Sequence, residues 1–418
     1  MKKYFLLFIL SVVIFFLHAV LVRHAVYGDG NGYYSYTHAL YFEKGLNFDY
    51  IYNHLGNFSG KSGVFSRIFW NKEPISDGLI RQNPFTIGTG IVWLPSMALV
   101  SLVSIFLNLG LDKYSLIYEL GPGISGIFFM LSGLYFLEKY LVNFFSKRSV
   151  FWTVLTLFFA TNVFYYTAFE PALSHQPAFF LISFLLFWTY RFKGSLKNFF
   201  ILGALAGLLV IVRMADAIVL VPVFFQVVRV RLDYKKVFMF LLGFTLLLTP
   251  QLLTQKLMYG YFFVNPYFSG QNGFWNISFS HFIEYLFSPK RGLFAWSPVF
   301  IPAVWGLFQK RSYVFLFTVF LLWIVTSSWS AYLSAGFGQR FSFAAIPLMA
   351  FGLAYSFEKF SLKTTKVVFA VFVFLNINLI STFYLQKADL IKNDSLSMGR
   401  FIQLQIKNPK EIWNLLVK

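Results

Sequence analysis

The chain opens MKKYFLLFILSVVIFFLHAVLV, Met1 to Val22, and runs directly into RHAVYGDGNGYYSYTHALYFEKG, Arg23 to Gly45. The first segment has two lysines and then an apolar run longer than a signal peptide's, with no small-x-small cleavage site behind it. It reads as a retained first transmembrane helix. The second segment places Asp29, framed by Gly28, Gly30 and Gly32 and by a row of tyrosines, where that helix leaves the membrane. A packed apolar core gives no reason for an acid there.

Comparable apolar blocks recur along the 418 residues, of which 58% are hydrophobic and 12% charged, at mean hydropathy +0.65. Each is long enough to cross a hydrocarbon layer of about 30 Å at about 1.5 Å per residue. A transmembrane barrel would alternate apolar and polar residues instead. The fold class is therefore an all-α polytopic membrane protein. The chain has no cysteine, which excludes disulfides, thiolate metal sites and cysteine nucleophiles. Its formal charge of +19 bears on orientation across the membrane rather than on nucleic acid, which is not an expected partner.

Short Lys/Arg-rich loops mark the cytoplasmic side. These are Lys2-Lys3, EKYLVNFFSKRS (138–149), RFKGSLK (191–197), RVRLDYKK (229–236), QKRS (309–312) and EKFSLKTTK (358–366). Between successive loops from 150 to 357 lie pairs of apolar helices. Residues 1–138 must go out and return, yet they hold three apolar stretches. The middle one, TIGTGIVWLPSMALVSLVSIF (86–106), contains Gly88, Gly90 and Pro95 and is expected to lie in the outer interface or to dip in and out. About eleven transmembrane helices follow, forming one membrane domain over 1–385. Its first outer loop spans 23–116 with interfacial helices, a second outer loop spans 256–292, and an outer tail spans 386–418.

With that topology several charges stand on the disfavoured side. Arg213, Lys290, Arg291 and Arg340 all fall at outer helix ends, where Arg and Lys suit a phosphate and Arg offers a bidentate fork. Together they favour an anionic lipid headgroup. The competing reading is that each pairs with a nearby acid, as Arg213 would with Asp216. FSPKRGLFAWSP (287–298) and SAGFGQRFSF (334–343) add glycines that permit close backbone approach. Among the outer acids, Asp29, Glu170 and Asp216 lie beside helix ends in short connections. His175 follows Glu170 by five residues, and His281 precedes Glu284 by three, which puts that pair on one face of a helix. A divalent metal held by Asp29, Glu170 and a histidine is compatible with the composition, but no H-x-x-x-H spacing supports one, so none is expected to be required.

GDGNGYYSYTHALYFEKGLNFDY (28–50) resembles the first outer loop of the GT-C glycosyltransferases, and among them the protein O-mannosyltransferase-like group, glycosyltransferase family 39. The resemblance continues in order through YYTAFEPALSHQPAFFLISFLLF (165–187), GALAGLLVIVRMADAIVLVP (203–222), FSPKRGLFAWSPVF (287–300) and GFGQRFSFAAIPLMAFGLA (336–354). It implies a catalytic base at Asp29, a second acid at Glu170 and interfacial helices in the first outer loop. Gly30 stands where many members carry a second acid, which leaves the acceptor and any metal open.

The expectation is an integral inner-membrane enzyme, without a required cofactor, that acts on the outer, periplasmic side. It would move a sugar from a polyprenyl-phosphate donor to a hydroxyl of a protein, glycolipid or polysaccharide, with inversion. Asp29 takes the acceptor's proton and Glu170 orients the reactants. Arg213, Arg291, Lys290 and Arg340 hold the phosphate. Tyr33, Tyr34, His175 and Asp216 are the candidates for substrate contact, although tyrosines also anchor membrane interfaces. A transporter or flippase of lipid-linked sugars, or a polysaccharide polymerase or ligase, would need similar outer cationic sites. The inverted repeats and broken helices usual in a transporter are not seen in the sequence.

Overall fold

A computed structural model describes residues 2–48, 83–264, 276–329, 331–333, 336–385 and 396–416, with side chains to 410. The acids Asp49, Glu73 and Asp77, together with His54, Ser334 and residues 386–395 of the tail, lie outside the described residues. Regular structure among the described residues is helical.

Each of the eleven expected spans has a helical counterpart. Five are long and apolar enough to cross a membrane by themselves: α1 (Lys2–Val22), α4 (Leu116–Leu141), α10 (Tyr234–Tyr259), α15 (Ile346–Lys359, with the 3-10 turn Arg340–Ala345 that leads into it) and α16 (Leu362–Leu385). A sixth is a bent pair, α5 (Lys147–Phe159) and α6 (Asn162–Ala168), which turn by 63°. The others are shorter: α7 (His175–Tyr190), α8 (Leu196–Val212), Met214–Val227 ending in α9 (Leu220–Val227), α13 (Phe300–Gln309) and α14 (Tyr313–Ser327). The segment after the first outer loop is a single unbroken helix, α3 (Gly88–Phe106), despite Gly90 and Pro95. It does not dip in and out, and its length and apolarity equal those of a span. The remaining helices are α2 (Asp29–His38), α11 (Phe279–Phe287), α12 (Leu293–Trp296) and α17 (Met398–Leu416).

Two compact units form. The first comprises residues 1–135 and 167–274. In it α1 runs antiparallel to α4: the Tyr4 hydroxyl donates to the Leu134 carbonyl (3.1 Å), while Phe15 covers Gly123, where a Cβ would meet its ring. α8 and α10 approach backbone to backbone. A Cβ on Gly203 would strike the Phe240 carbonyl, one on Gly207 would stand 2.6 Å from that of Phe244, and one on Gly243 would strike that of Phe200. Small residues four apart let membrane helices gain close van der Waals packing where lipid supplies no hydrophobic drive.

The second unit comprises residues 136–166 and 275–418. α13 and α15 cross at Gly306 and Gly352, each of which faces the other helix's backbone. Ser146 caps α5 by accepting from the Ser149 N–H, and its hydroxyl donates to Glu358 on α15 (2.6 Å). The carbonyls of Phe159 and Thr161 flank the bend between α5 and α6, and that of Thr161 also accepts the Phe164 N–H at 3.4 Å. Both are taken by the side-chain amide of Asn376 on α16, at 2.9 Å each. Asn376 is buried in a largely apolar helix, and these two bonds account for its amide there.

Candidate active site

In the first unit, the connection from α1 to α2 is fixed by a buried carboxylate on α4. Glu119 is 5% exposed, accepts the Ala25 N–H at 2.9 Å, and lies 3.5 Å from the His24 ring. Arg23, just before, has φ 63°, a left-handed conformation unfavourable for a residue with a Cβ. Glu119 holds the chain immediately beyond that strained turn. Gly28, at φ 49°, then turns the backbone into α2, whose first residue is the half-buried Asp29. A carboxylate in a helix's first turn faces the unsatisfied N–H groups and the positive end of the dipole.

α2 is fastened on two sides. Gly30 presses against the Ala172 carbonyl, and Ser174 donates to the Tyr33 hydroxyl at 3.0 Å. Both contacts tie α2 to the connection 169–174 that carries Glu170, so the unit brings the Asp29 and Glu170 segments together. On its other side Asn83 donates to the Gly32 carbonyl (2.9 Å), and Gly90 of α3 lets the Tyr36 Cβ come close. His175 starts α7 and is buried.

Tyr33 and Tyr34 are core residues, at 7% and 4% exposure. Tyr33 meets Phe85 and Trp93 edge to face, and the Tyr36 hydroxyl donates to the Phe85 carbonyl at 3.0 Å. Burial, and then the Glu119 charge, push the Tyr34 phenol well above its ordinary range, so it remains a neutral donor. These tyrosines pack the outer loop rather than face an interface.

Arg213 ends α8. The carbonyl before it, that of Val212, accepts from Thr86 (3.1 Å) and Thr89 (3.3 Å) at the start of α3. The Arg213 Nε donates to buried Asp216 at 3.0 Å, so the acid pairing anticipated from their spacing is present.

The second unit carries the other cations. Arg291 is 4% and Arg340 9% exposed, and both reach Gly336. Arg291 Nε donates to the Gly336 carbonyl (3.1 Å) and Nη1 to that of Leu333 (2.5 Å). A Cβ on Gly336 would stand 2.6 Å from the Tyr166 hydroxyl and 3.3 Å from Arg340 Cδ. Tyr166 in turn accepts the Phe337 N–H (2.9 Å). Burial lowers the Arg291 guanidinium pKa; Tyr166 opposes this, and the Arg340 charge adds to it. Among the described residues no carboxylate pairs with Arg291. A guanidinium this buried, with backbone carbonyls as its hydrogen-bond partners, retains positive charge that a phosphate would neutralise. Lys290 is half-buried beside Arg291, its backbone N–H on Ser288 Oγ (3.2 Å).

α11 fulfils the spacing of His281 and Glu284. Both reach Tyr332: its hydroxyl donates to Glu284 at 2.6 Å, and the His281 ring lies 4.8 Å from its ring. Tyr332 adjoins Leu333, which receives Arg291, so the pair buttresses the basic loop. Among the described residues no three His, Asp or Glu side chains come together as a metal site.

No family model and no curated protein matches the chain. Among solved structures it is similar to ArnT from Cupriavidus metallidurans, crystallised with undecaprenyl phosphate. Identity is 12% and the TM-score 0.54, over 97% of this chain and 76% of that one. The chain shares the fold of ArnT. At that identity the likeness concerns the fold and transfers no residue roles.

Glu119 is the residue that sequence reasoning missed. Nothing local marks its partner Ala25, which lies 94 residues earlier.

Proposed function

We propose that the chain is a membrane glycosyltransferase that moves a sugar from a polyprenyl-phosphate donor to an acceptor hydroxyl on the outer face. The observation that carries this reading is the buried pair Arg291 and Arg340 converging on Gly336, with backbone carbonyls as the partners of Arg291. A phosphodiester monoanion meets that need. As the glycosidic bond breaks, the leaving phosphate gains a second negative charge, and donors already fixed in place stabilise it without reorganising. The GT-C fold supports the reading, because ArnT was crystallised with such a lipid phosphate.

Asp29 supplies the base. The acceptor oxygen must lose its proton as it attacks the anomeric carbon, and a carboxylate within hydrogen-bond reach accepts it. Glu170, tied to α2 through Ala172 and Ser174, orients the reactants. Arg213 is the weakest of the four phosphate candidates, since Asp216 already occupies its Nε. The enzyme belongs to the family-39 kind of GT-C transferase in this proposal, with the site open to the periplasmic side.

Transfer from a panel of polyprenyl-phosphate sugars tests the reading, with wild type compared to Asp29→Asn. Loss of transfer by about 10²–10⁴-fold with lipid-phosphate binding intact is expected. Unchanged transfer in Asp29→Asn would remove Asp29 as base. Transport of the intact lipid-linked sugar without transfer would replace the enzyme by a carrier.

A further inference from the structure

α17 is too polar to count as a span, yet it exposes apolar side chains in a strict pattern. Successive residues of an α-helix turn by about 100°. On that basis its described side chains sort into three faces. Phe401, Leu404 and Asn408 form the first and are buried at 5%, 2% and 0% exposure. They meet the rest of the second unit: Phe401 lies 5.8 Å from the Trp296 ring, and Asn408 Nδ2 donates to Oδ1 of Asn378 on α16 at 2.8 Å. The second face is Met398, Ile402 and Ile406, all exposed, Ile406 at 72%. The third holds Arg400, Lys407 and Lys410, all exposed, and residues 398–410 contain no acid.

A helix with one face on protein needs only one other surface, water, and would make the remaining faces polar. Here apolar and cationic faces adjoin. That arrangement fits a helix at a bilayer boundary, with acyl chains on one side and headgroups on the other. The depth agrees. Asn378 lies seven residues before Leu385, the last of α16, or about 10 Å along the helix axis. Interfacial helices sink about 5–10 Å into the headgroup region. α16 itself is long and apolar enough to span.

We propose that α17 is a membrane-surface helix that binds the lipid headgroup layer, inserting Met398, Ile402 and Ile406 among acyl chains and pairing Arg400, Lys407 and Lys410 with anionic headgroups. The partner is an anionic bilayer surface. This role is independent of the transferase reading.

The chain has no native cysteine, so single cysteines can be introduced and spin-labelled in the full-length protein in vesicles. Labels at Met398→Cys, Ile402→Cys and Ile406→Cys should collide more with oxygen than with a water-soluble nickel chelate. Labels at Arg400→Cys, Gln403→Cys and Lys407→Cys should show the reverse. The label at position 406 should lie deeper in vesicles containing phosphatidylglycerol than in phosphatidylcholine alone, and Lys407→Glu with Lys410→Glu should abolish that difference. Chelate access at all six positions would overturn the proposal. Spin–spin broadening at 402 and 406 would overturn it too, by assigning the apolar face to a second copy of the chain. A depth at 406 that ignores lipid charge would remove the anionic-headgroup part.

Discussion

Replacing Arg291 by glutamine separates a phosphate ligand from a structural staple, because the two roles predict opposite results. In the unliganded protein the guanidinium makes two hydrogen bonds to carbonyls, of Gly336 and Leu333. Bonds to charged groups contribute about 1.5–3 kcal/mol each. Against them stands the burial of a cation beside Arg340, and the effective cost of burying an ion is several kcal/mol. A glutamine amide retains one donor and removes the charge, so the unliganded variant should unfold within about 1 kcal/mol of wild type. Phosphate binding should suffer far more. Loss of a fixed donor to an oxyanion costs about 2.7–4 kcal/mol, a factor of about 10²–10³. Polyprenyl phosphate added at about 100 times its Kd should stabilise the wild type by about 2.7 kcal/mol. After a hundredfold loss of affinity the same addition yields about 0.4 kcal/mol. Thermal unfolding in detergent, with and without the lipid phosphate, reads both quantities. A variant that unfolds several degrees early yet keeps its full response to lipid would refute the reasoning, and Arg291 would then be a clamp on the Leu333 and Gly336 carbonyls.

Glu119→Ala leaves the buried Ala25 N–H without its acceptor and should cost about 1–3 kcal/mol, while lowering the transfer rate and sparing lipid-phosphate affinity; Glu119→Gln, which keeps an acceptor, should lose less, as kinetics and unfolding on the same preparations would show. Gly203→Leu drives a side chain into the Phe240 carbonyl and should destabilise by about 1–3 kcal/mol or more, whereas truncating the neighbouring but exposed Leu241 to Ala, which leaves that contact intact, should not; unfolding midpoints compare them. Asp233 caps α10 by accepting the Lys236 N–H (2.9 Å), which holds its carboxyl below the ordinary 3.8. Its contribution is complete above 3.8 and is lost as the pH falls through the depressed folded value. Asp233→Asn, which keeps an accepting oxygen, should flatten that part of the acid dependence in a pH series of unfolding curves.

The spans were legible because lipid imposes length and apolarity on any helix that crosses it. Arg213 and Asp216 were legible as a pair because three residues apart is one helical neighbour. Arg291 and Arg340 could be grouped by chemistry, each beside glycines in the sequence, but their meeting at Gly336 depends on Tyr166, which packs on Gly336 and accepts the Phe337 N–H. The tyrosines were not legible. Whether Tyr33 and Tyr34 face lipid or protein depends on α3 and on the 169–174 connection covering them, and tyrosine is at home in both places. The unbroken course of α3 was equally hidden: Gly90 and Pro95 suggest a break, yet Gly90 is where Tyr36 packs, a reason for glycine that concerns contact rather than bending.

The turn between α5 and α6 has a consequence for synthesis. The Phe159 and Thr161 carbonyls that flank it accept from Asn376, 215 residues downstream of Thr161. At about 5–20 residues per second, the ribosome reaches that asparagine on the order of 10–40 s after making the turn. Until then nothing on α16 can fix the direction of α6, or the reach of Tyr166 towards the arginine loop. This bend is thus set in order of manufacture by a membrane helix made much later, and a transcript truncated before Asn376 would leave the earlier helices inserted but α6 unaimed.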